Sequence, residues 1–264
     1  MPFSRVLRWL KCTIATITVQ ALVVLLAAGP IPKHMAFIMD GNRRYARSVG
    51  KRPEEGHTAG FQNLLKVVSF CARLGVKSVS AYAFSIENFK RSSEEVDPLL
   101  KLSDKFVELC QPGCFFSSGN IRVNIVGRTA LLPESVQRAA QRVELLTRDN
   151  DGIMLNLCVA YTSCDEMTTA VQSCVSHAID RGLDAKPWVV TEEHIDSQLL
   201  TARVGSSPLD ILVRTGNAKR LSNFFMWQCC EDTQLHFLEC YWPRFSLRDL
   251  IPIIVDYQIK AWKS

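Results

Sequence analysis

The sequence predicts an α/β protein with a single domain, in which helices flank a mostly parallel central sheet. Past residue 30, short apolar runs alternate with segments of helical periodicity, and no break in composition separates two halves. Strands separated by helices pair in parallel, and such sheets are covered on both faces. The 264 residues, 47% of them hydrophobic and 22% charged, suffice for one such domain and exclude a mainly disordered chain.

Each element follows from the spacing of apolar residues along the chain. Short apolar or alternating runs predict strands at 35–39, 78–84, 121–127, 153–159 and 210–214. Helical spacing predicts helices at 61–72, 133–148 and 164–181, and a last helix that begins near Ser246. Ser92 and Glu95 have the spacing of a capping box and predict one more helix, whose inward face carries Leu99, Leu102, Phe106 and Cys110.

The N-terminal segment differs from the rest because cations precede an apolar stretch. Arg5, Arg8 and Lys11 come before residues 13–29, which include a run of aliphatic side chains. This pattern fits a signal peptide, a short membrane span, a helix lying on a membrane surface or a core helix. Composition alone leaves these four interpretations open, since short apolar segments are ambiguous.

The charge and the cysteine content of the sequence argue against nucleic-acid binding and against a zinc site. The net charge of +5 comes from 31 Lys and Arg against 26 Asp and Glu, without a basic tail, so nucleic-acid binding is not favoured. The ten cysteines include no CxxC pair and no Cys–His grouping with zinc spacing. We therefore expect reduced thiols in a protein that faces the cytosol.

Three polar clusters follow predicted strands, at 40–44, 85–91 and 214–223. Ligands of open parallel sheets bind beyond the carboxyl ends of the strands. In the first cluster a carboxylate, a glycine and two guanidiniums suit a diphosphate with a divalent cation. The third places two arginines and a hydroxyl at a predicted helix start, which suits a phosphate. The sequence has no Walker A, GxGxxG or GxSxG motif, which argues against nucleotide-binding folds and serine hydrolases.

The motifs, in order, resemble the signatures of cis-prenyltransferases. The resemblance runs from about residue 29 to the end and is carried by residues 34–46, 56–57, 82–91, 220–228 and 242–243. Residues 29–34, 160–163 and 227–242 are most similar to the eukaryotic dehydrodolichyl diphosphate synthase branch. The resemblance implies an undecaprenyl diphosphate synthase-like fold, with a membrane-associated helix at 1–29 and a catalytic domain at 30–264. It favours a surface-lying or anchoring helix over export.

The resemblance also implies a reaction and a site. Isopentenyl diphosphate units would add to farnesyl diphosphate and give a long polyprenyl (dehydrodolichyl) diphosphate for dolichol synthesis and protein glycosylation. Asp40 would hold Mg²⁺ on the leaving diphosphate, cradled by Gly41, Asn42, Arg43, Arg44 and His57. Isopentenyl diphosphate would bind Arg214, Arg220 and Ser222. The site would be completed by Ser85, Glu87, Asn88 and Arg91, with Asn88 in the family's proton-handling role.

Several positions depart from the family pattern. Gly216, Asn217 and Ala218 follow Thr215 where the family usually has Ser-Gly-Glu, Gln234 takes the place of a bacterial metal-linked glutamate, and Pro53 and Cys164 stand where arginines are common. The sequence ends at Ser264 without the C-terminal Arg-x-Gly of homodimeric members. We therefore expect a Nogo-B-receptor-like partner that supplies this tail, at the cytosolic face of the endoplasmic reticulum membrane. The alternative is a non-catalytic subunit that stabilises or anchors such a synthase.

Overall fold

A six-stranded parallel sheet forms the centre of the molecule. The structure is a computed structural model that describes residues 19–92, 96, 99–100, 102–180 and 189–263. The strand order is β3-β4-β2-β1-β5-β6, and every neighbouring pair is parallel. The strands are β1 (His34–Ile38), β2 (Ser78–Ser85), β3 (Arg122–Val126), β4 (Met154–Tyr161), β5 (Ile211–Arg214) and β6 (Gln234–Phe237). The fold class is confirmed, and β1 to β5 lie close to their predicted bounds.

Helices connect the strands and cover both faces of the sheet. The helices are α1 (Asn42–Ser48), α2 (Pro53–Leu74), α3 (Leu102–Leu109), α4 (Phe115–Ser118), α5 (Glu134–Thr147), α6 (Ser163–Asp180), α7 (Glu192–Gln198), α8 (Leu200–Arg203) and α9 (Leu247–Ala261). Ser246 precedes α9 as predicted, and its backbone N–H and hydroxyl both donate to Asp249. Glu95 of the predicted capping box lies outside the described residues.

The sheet separates two apolar clusters. Successive side chains of a strand point to opposite faces. Accordingly, Met35 and Phe37 of β1 join the cluster that contains α2 and α9 residues, whereas Ala36 and Ile38 pack with Phe224 and Phe225 on the other face. All five β1 residues are buried, as expected for a central parallel strand.

Part of the predicted N-terminal segment packs into this core. Residues 19–27 are helical, and Val23 and Leu26 are buried in the α2–α9 cluster. The side-chain amide of Gln258 on α9 donates to the Leu26 carbonyl at 2.6 Å. Val24 and Leu25 point outward and are each 72% exposed. Within the described ranges, no helix is both long enough and apolar enough to cross a bilayer. Residues 1–18 lie outside the described ranges.

His34 has a structural position at the start of β1. Its ring is 1% exposed, with Nδ1 2.8 Å from the Ser207 carbonyl and Nε2 2.7 Å from Ser80 Oγ. The polar row continues across the sheet from Ser80 to Asn156 and on to Asn124. Burial lowers the pKa of His34 from 6.5 to about 4, so the imidazole is neutral in the folded protein at physiological pH.

This burial predicts a loss of stability in mild acid. The unfolded chain binds a proton at His34 near pH 6.5, whereas the folded chain does so only near pH 4. The free energy of unfolding should therefore fall as pH drops from 6.5 to 4, with His34 accounting for about 3 kcal/mol. Urea unfolding of the protein and of His34→Gln at several pH values measures this. The variant should show a flatter pH profile, and parallel profiles would contradict the assignment.

Candidate active site

The carboxyl ends of β1, β2 and β5 surround a cleft of about 800 Å³. Every residue that the sequence predicts to contact substrate or metal lines it: Asp40, Gly41, Asn42, Arg43, Arg44, His57, Ser85, Glu87, Asn88, Arg91, Arg214, Arg220 and Ser222. The three polar clusters are therefore brought together, as the topology of a parallel sheet requires. The roles of the individual residues stay predictions.

Asp40 is held where three chain segments meet at the end of β1. Its carbonyl accepts from Trp242 N at 3.0 Å and from Thr215 Oγ1 at 2.9 Å. Gly41 has φ +100°, and a Cβ there would lie 2.8 Å from the Tyr241 ring, so glycine is required by both conformation and space. The Gly41 N–H donates to Asp40 Oδ1 at 2.6 Å. The carboxylate is thereby fixed in the lining of the cleft, and its side chain is 31% exposed.

Two guanidiniums flank the Asp40 carboxylate. Arg44 Nη2 lies 3.2 Å from Oδ1, and Arg214 Nη2 lies 3.0 Å from Oδ2. Arg44 is 44% exposed, whereas the Arg214 side chain is only 4% exposed. The Nη1 of Arg214 also donates to Ser222 Oγ at 2.7 Å and to the Arg220 carbonyl at 2.5 Å. Arg214 thus links the first cluster to the third and orients both.

The third cluster is not the start of a helix, and that prediction is wrong. Residues 215–225 form bends and irregular chain and 226–229 a turn, with positive φ at Gly216, Asn217, Ser222 and Asn223. A Cβ at Gly216 would lie 2.7 Å from Arg44 Nη2 and 3.1 Å from the Asp40 carbonyl. Gly216 is one of the positions that depart from the family pattern. The glycine there lets the turn approach the first cluster closely. The phosphate-binding character therefore comes from side chains on a turn, not from a helix terminus.

The turn is fastened to the start of α6 and to β2. The Asn223 carbonyl accepts from Ser163 N at 2.8 Å, and its side-chain oxygen accepts from Cys164 N at 3.0 Å. Phe224 stacks on Tyr82 with ring centroids 4.4 Å apart, and Tyr82 donates to the Ser222 carbonyl at 3.4 Å. Burial raises the pKa of Tyr82 to about 12, so its hydroxyl stays a donor at neutral pH. Cys164 contributes only its backbone here.

The second cluster is a capped 3₁₀ turn that follows β2. Ser85 Oγ accepts from Glu87 N at 3.1 Å, and Asn88 Oδ1 accepts from Ser85 N at 3.1 Å. Because the Asn88 oxygen is used by the backbone, the amide Nδ2 is the group that this side chain offers to a ligand. Asn88 therefore presents a hydrogen-bond donor to the cleft.

Close packing of α1 against α2 forms one wall of the cleft. A Cβ at Gly56 would clash with the carbonyl oxygen of Asn42, and a Cβ at Gly60 would clash with the side-chain oxygen of Asn42. Trp242 Nε1 donates to the Gly60 carbonyl at 2.8 Å. Pro53 opens α2 at a position where proline is tolerated.

Some cleft-lining residues were not predicted as site residues from the sequence. Arg47, Tyr82 and Trp242 line the cleft beside the predicted set. Arg47 follows Arg43 by four residues, a spacing that places both on one face of α1 and could have identified it. Arg52, the neighbour of Pro53, does not line the cleft; its Nη1 lies 3.9 Å from Glu54.

The polar cleft continues into an apolar cavity of about 110 Å³. Leu99, Leu102 and Phe106, which the sequence placed on the inward face of one predicted helix, line both spaces. The far side of the cavity is formed by α5 residues Val136, Ala139, Ala140 and Val143. A ligand with a charged head in the cleft could therefore place an apolar tail between α3 and α5.

The donor set suits Mg²⁺ that is shared with a phosphate ligand. Asp40 and Glu87 are the carboxylates that line the cleft, and the described residues contain no cluster of three or more His, Cys, Asp or Glu side chains. Mg²⁺ commonly binds one or two carboxylates plus substrate phosphates. Gln234 lies at the opposite end of its strand, where it pairs with Ile211 and accepts from Lys260 at 3.5 Å. It does not line the cleft.

Comparisons with known proteins agree with this architecture. Residues 38–263 match the family model of undecaprenyl diphosphate synthase. A dehydrodolichyl diphosphate synthase complex subunit of Schizosaccharomyces pombe is 39% identical over 236 residues, covering 88% of this chain and 87% of its own length. A geranylgeranyl-diphosphate-specific tritrans,polycis-undecaprenyl-diphosphate synthase of Pyrococcus furiosus is 40% identical over 232 residues, with 88% and 86% coverage.

A solved structure shows the same fold. The lavandulyl diphosphate synthase of Lavandula x intermedia, in complex with dimethylallyl diphosphate, superposes with a TM-score of 0.78. It is 31% identical to this chain, and the match covers 86% of this chain and 95% of that one. With its parallel sheet, its polar cleft and these relatives, the chain belongs to the undecaprenyl diphosphate synthase family of cis-prenyltransferases.

Proposed function

We propose that this chain adds isopentenyl diphosphate units to farnesyl diphosphate and so makes a long polyprenyl diphosphate for dolichol synthesis. The observation that carries the proposal is the joining of a cationic cleft to an apolar cavity. A diphosphate with a growing isoprenoid tail needs both environments at once. The relatives with dehydrodolichyl diphosphate synthase names support the same activity.

The allylic diphosphate binds at the first cluster. Arg43, Arg44 and His57 line the cleft beside Asp40, and they offer charged or polar donors to phosphate oxygens. The bond between the allylic carbon and oxygen breaks, and negative charge develops on the diphosphate. Donors already fixed around the leaving group stabilise that charge without reorganising. The allylic carbon is left as a cation whose tail lies toward Phe106.

Isopentenyl diphosphate binds at the third cluster. Ser222 and Arg220 face the cleft, and Arg214 holds Ser222 Oγ in place at 2.7 Å. The double bond of isopentenyl diphosphate attacks the allylic cation, and a carbon–carbon bond forms. One proton then passes from the isopentenyl unit to an oxygen of the released diphosphate, which gives the new cis double bond. The Asn88 amide is placed to donate to a diphosphate oxygen, since its own oxygen is used by Ser85 N.

The metal ion of this reaction is proposed to be Mg²⁺. When bound, it would neutralise charge on the leaving diphosphate. Asp40 is the residue that would hold it, because its carboxylate lines the cleft and is 31% exposed, while its backbone is fixed by Thr215 and Trp242.

A partner subunit at the cytosolic face of the endoplasmic reticulum membrane is part of the proposal. The Schizosaccharomyces pombe relative is named a complex subunit, which supports an assembly. One surface for it is edge strand β6 with α9, where Leu235, Val255, Ile259 and Trp262 are exposed. We expect a Nogo-B-receptor-like subunit to dock there and to supply donors from a terminal Arg-x-Gly. The alternative of a non-catalytic subunit is not favoured, because the cluster around Asp40 is complete.

Activity should therefore depend on the partner. Addition of a Nogo-B-receptor-like subunit is expected to raise incorporation of labelled isopentenyl diphosphate at least tenfold, equivalent to about 1.4 kcal/mol of transition-state stabilisation. A partner without its terminal Arg-x-Gly should bind but not activate, which provides the matched control. Full activity of the isolated chain would refute the heteromer while leaving the enzyme assignment intact.

A further inference from the structure

A second groove lies on α2, away from the catalytic cleft. It measures about 570 Å³ and runs between α2, Phe115 and the start of α9. Its apolar floor consists of Val67, Phe70, Phe115, Phe245, Leu247 and Leu250. We call it the α2–α9 groove. It shares no lining residue with the catalytic cleft, so its ligand need not be a substrate.

The charged residues of the α2–α9 groove are all cations. Lys66, Arg73 and Arg244 line it, and no described Asp or Glu does. Lys66 and Arg73 are exposed, and neither forms an ion pair within the described part of the chain. The nearby Asp249 carboxylate accepts from Ser246 N and Oγ, both at 2.9 Å. An apolar floor with a cationic rim matches a ligand that has an acyl chain and an anionic head.

The neighbouring helix also presents apolar surface to solvent. Val19 lines the groove and lies at the start of the helical residues 19–27, on which Val24 and Leu25 are each 72% exposed. Residues 1–18 carry three Lys and Arg and no Asp or Glu, so charge does not favour them as the occupant. The acyl chain of an anionic lipid would contact the apolar floor and the exposed aliphatic residues, and its anionic head would pair with the cationic rim.

We propose that the α2–α9 groove binds an anionic phospholipid of the membrane on which the protein works. An acyl chain lies along Phe70 and Phe245, and the phosphate is held by Lys66 and Arg73. This site adds a lipid contact on the folded domain to any contact made by the N-terminal residues. It does not depend on the prenyl transfer reaction.

Vesicle binding by the full chain tests the groove. The probes are vesicles of phosphatidylcholine alone and of phosphatidylcholine with phosphatidylserine. The double variant Lys66→Ser/Arg73→Ser should bind the anionic vesicles roughly tenfold more weakly, since each cation near an anionic surface contributes severalfold. Arg138→Ser/Arg148→Ser removes the same charge from exposed sites outside the groove and should change binding little. Prenyl transfer in detergent should be unchanged in both, which shows that the fold is intact.

Two outcomes would overturn the proposal. Equal binding losses in both double variants would show a general charge effect, and no loss in the groove variant would show that the groove is not used. A phosphatidylserine that carries a photoreactive group in its acyl chain gives a second, variant-free measurement. It should label peptides that contain Phe70 or Phe245, and labelling confined to residues 1–18 would contradict the site.

Discussion

Replacement of Asp40 by asparagine is expected to lower kcat/KM at least about a thousandfold, a loss of about 4 kcal/mol of transition-state stabilisation. The amide keeps an oxygen that can accept from Gly41 N but loses the negative charge. A diphosphate leaving group needs a neutralising cation, and Asp40 is the carboxylate of the first cluster. Steady-state incorporation of labelled isopentenyl diphosphate measures the effect.

Asparagine is preferable to alanine at this position for a structural reason. Arg214 is 4% exposed and donates to Asp40 Oδ2 at 3.0 Å, so Asp40→Ala leaves a buried guanidinium without this acceptor. A lost hydrogen bond to a charged group costs about 1.5–3 kcal/mol of stability. Asp149→Asn, at a carboxylate that is 87% exposed, is the matched control and should retain activity. Near-normal turnover by a folded Asp40→Asn protein would be incompatible with the proposed mechanism.

The second large effect concerns Arg220. Arg220→Ala should raise the KM for isopentenyl diphosphate roughly ten- to a hundredfold, because a charge-assisted hydrogen bond contributes about 1.5–3 kcal/mol. The KM for farnesyl diphosphate should change much less, since Arg220 belongs to the turn that carries Ser222. Initial rates with each substrate varied in turn separate the two constants.

Neighbouring cations provide the controls for Arg220. Lys219→Ala removes an adjacent exposed charge that does not line the cleft and should leave both constants nearly unchanged. Arg44→Ala should show the opposite selectivity, because Arg44 pairs with Asp40 in the allylic cluster. Equal effects of Arg220→Ala on both substrates would contradict the assignment of two separate diphosphate sites.

The sequence predicted the features that depend on local patterns. Apolar periodicity gave β1 to β5 and most helices, and polar residues after strands identified the three clusters that the sheet brings together. The edge strand β6 was missed because Gln234–Phe237 is a four-residue strand with two apolar positions. Its pairing with β5 is a tertiary contact that no local pattern specifies.

Other features depend on contacts between distant residues. The turn after Thr215 was predicted as a helix start, but Ser222 and Asn223, which have positive φ, accept hydrogen bonds from β2 and α6. The N–H of Asn217, which also has positive φ, donates to the Leu238 carbonyl at 2.9 Å. Arg214 contacts both Asp40, which lies 174 positions away in the sequence, and Ser222, which lies 8 positions away. The burial of Val23 and Leu26 could likewise not be predicted, because the composition of their segment fitted four interpretations.

Product sizing after incubation with labelled isopentenyl diphosphate tests the central claim most directly. The chain, combined with a Nogo-B-receptor-like subunit and given farnesyl diphosphate and Mg²⁺, should form a series of long polyprenyl diphosphates. Their dephosphorylated forms should separate chromatographically by length, and labelling should require both substrates. Absence of incorporation by the complex, or a product of a single condensation only, would contradict the proposal that this chain is a long-chain cis-prenyltransferase.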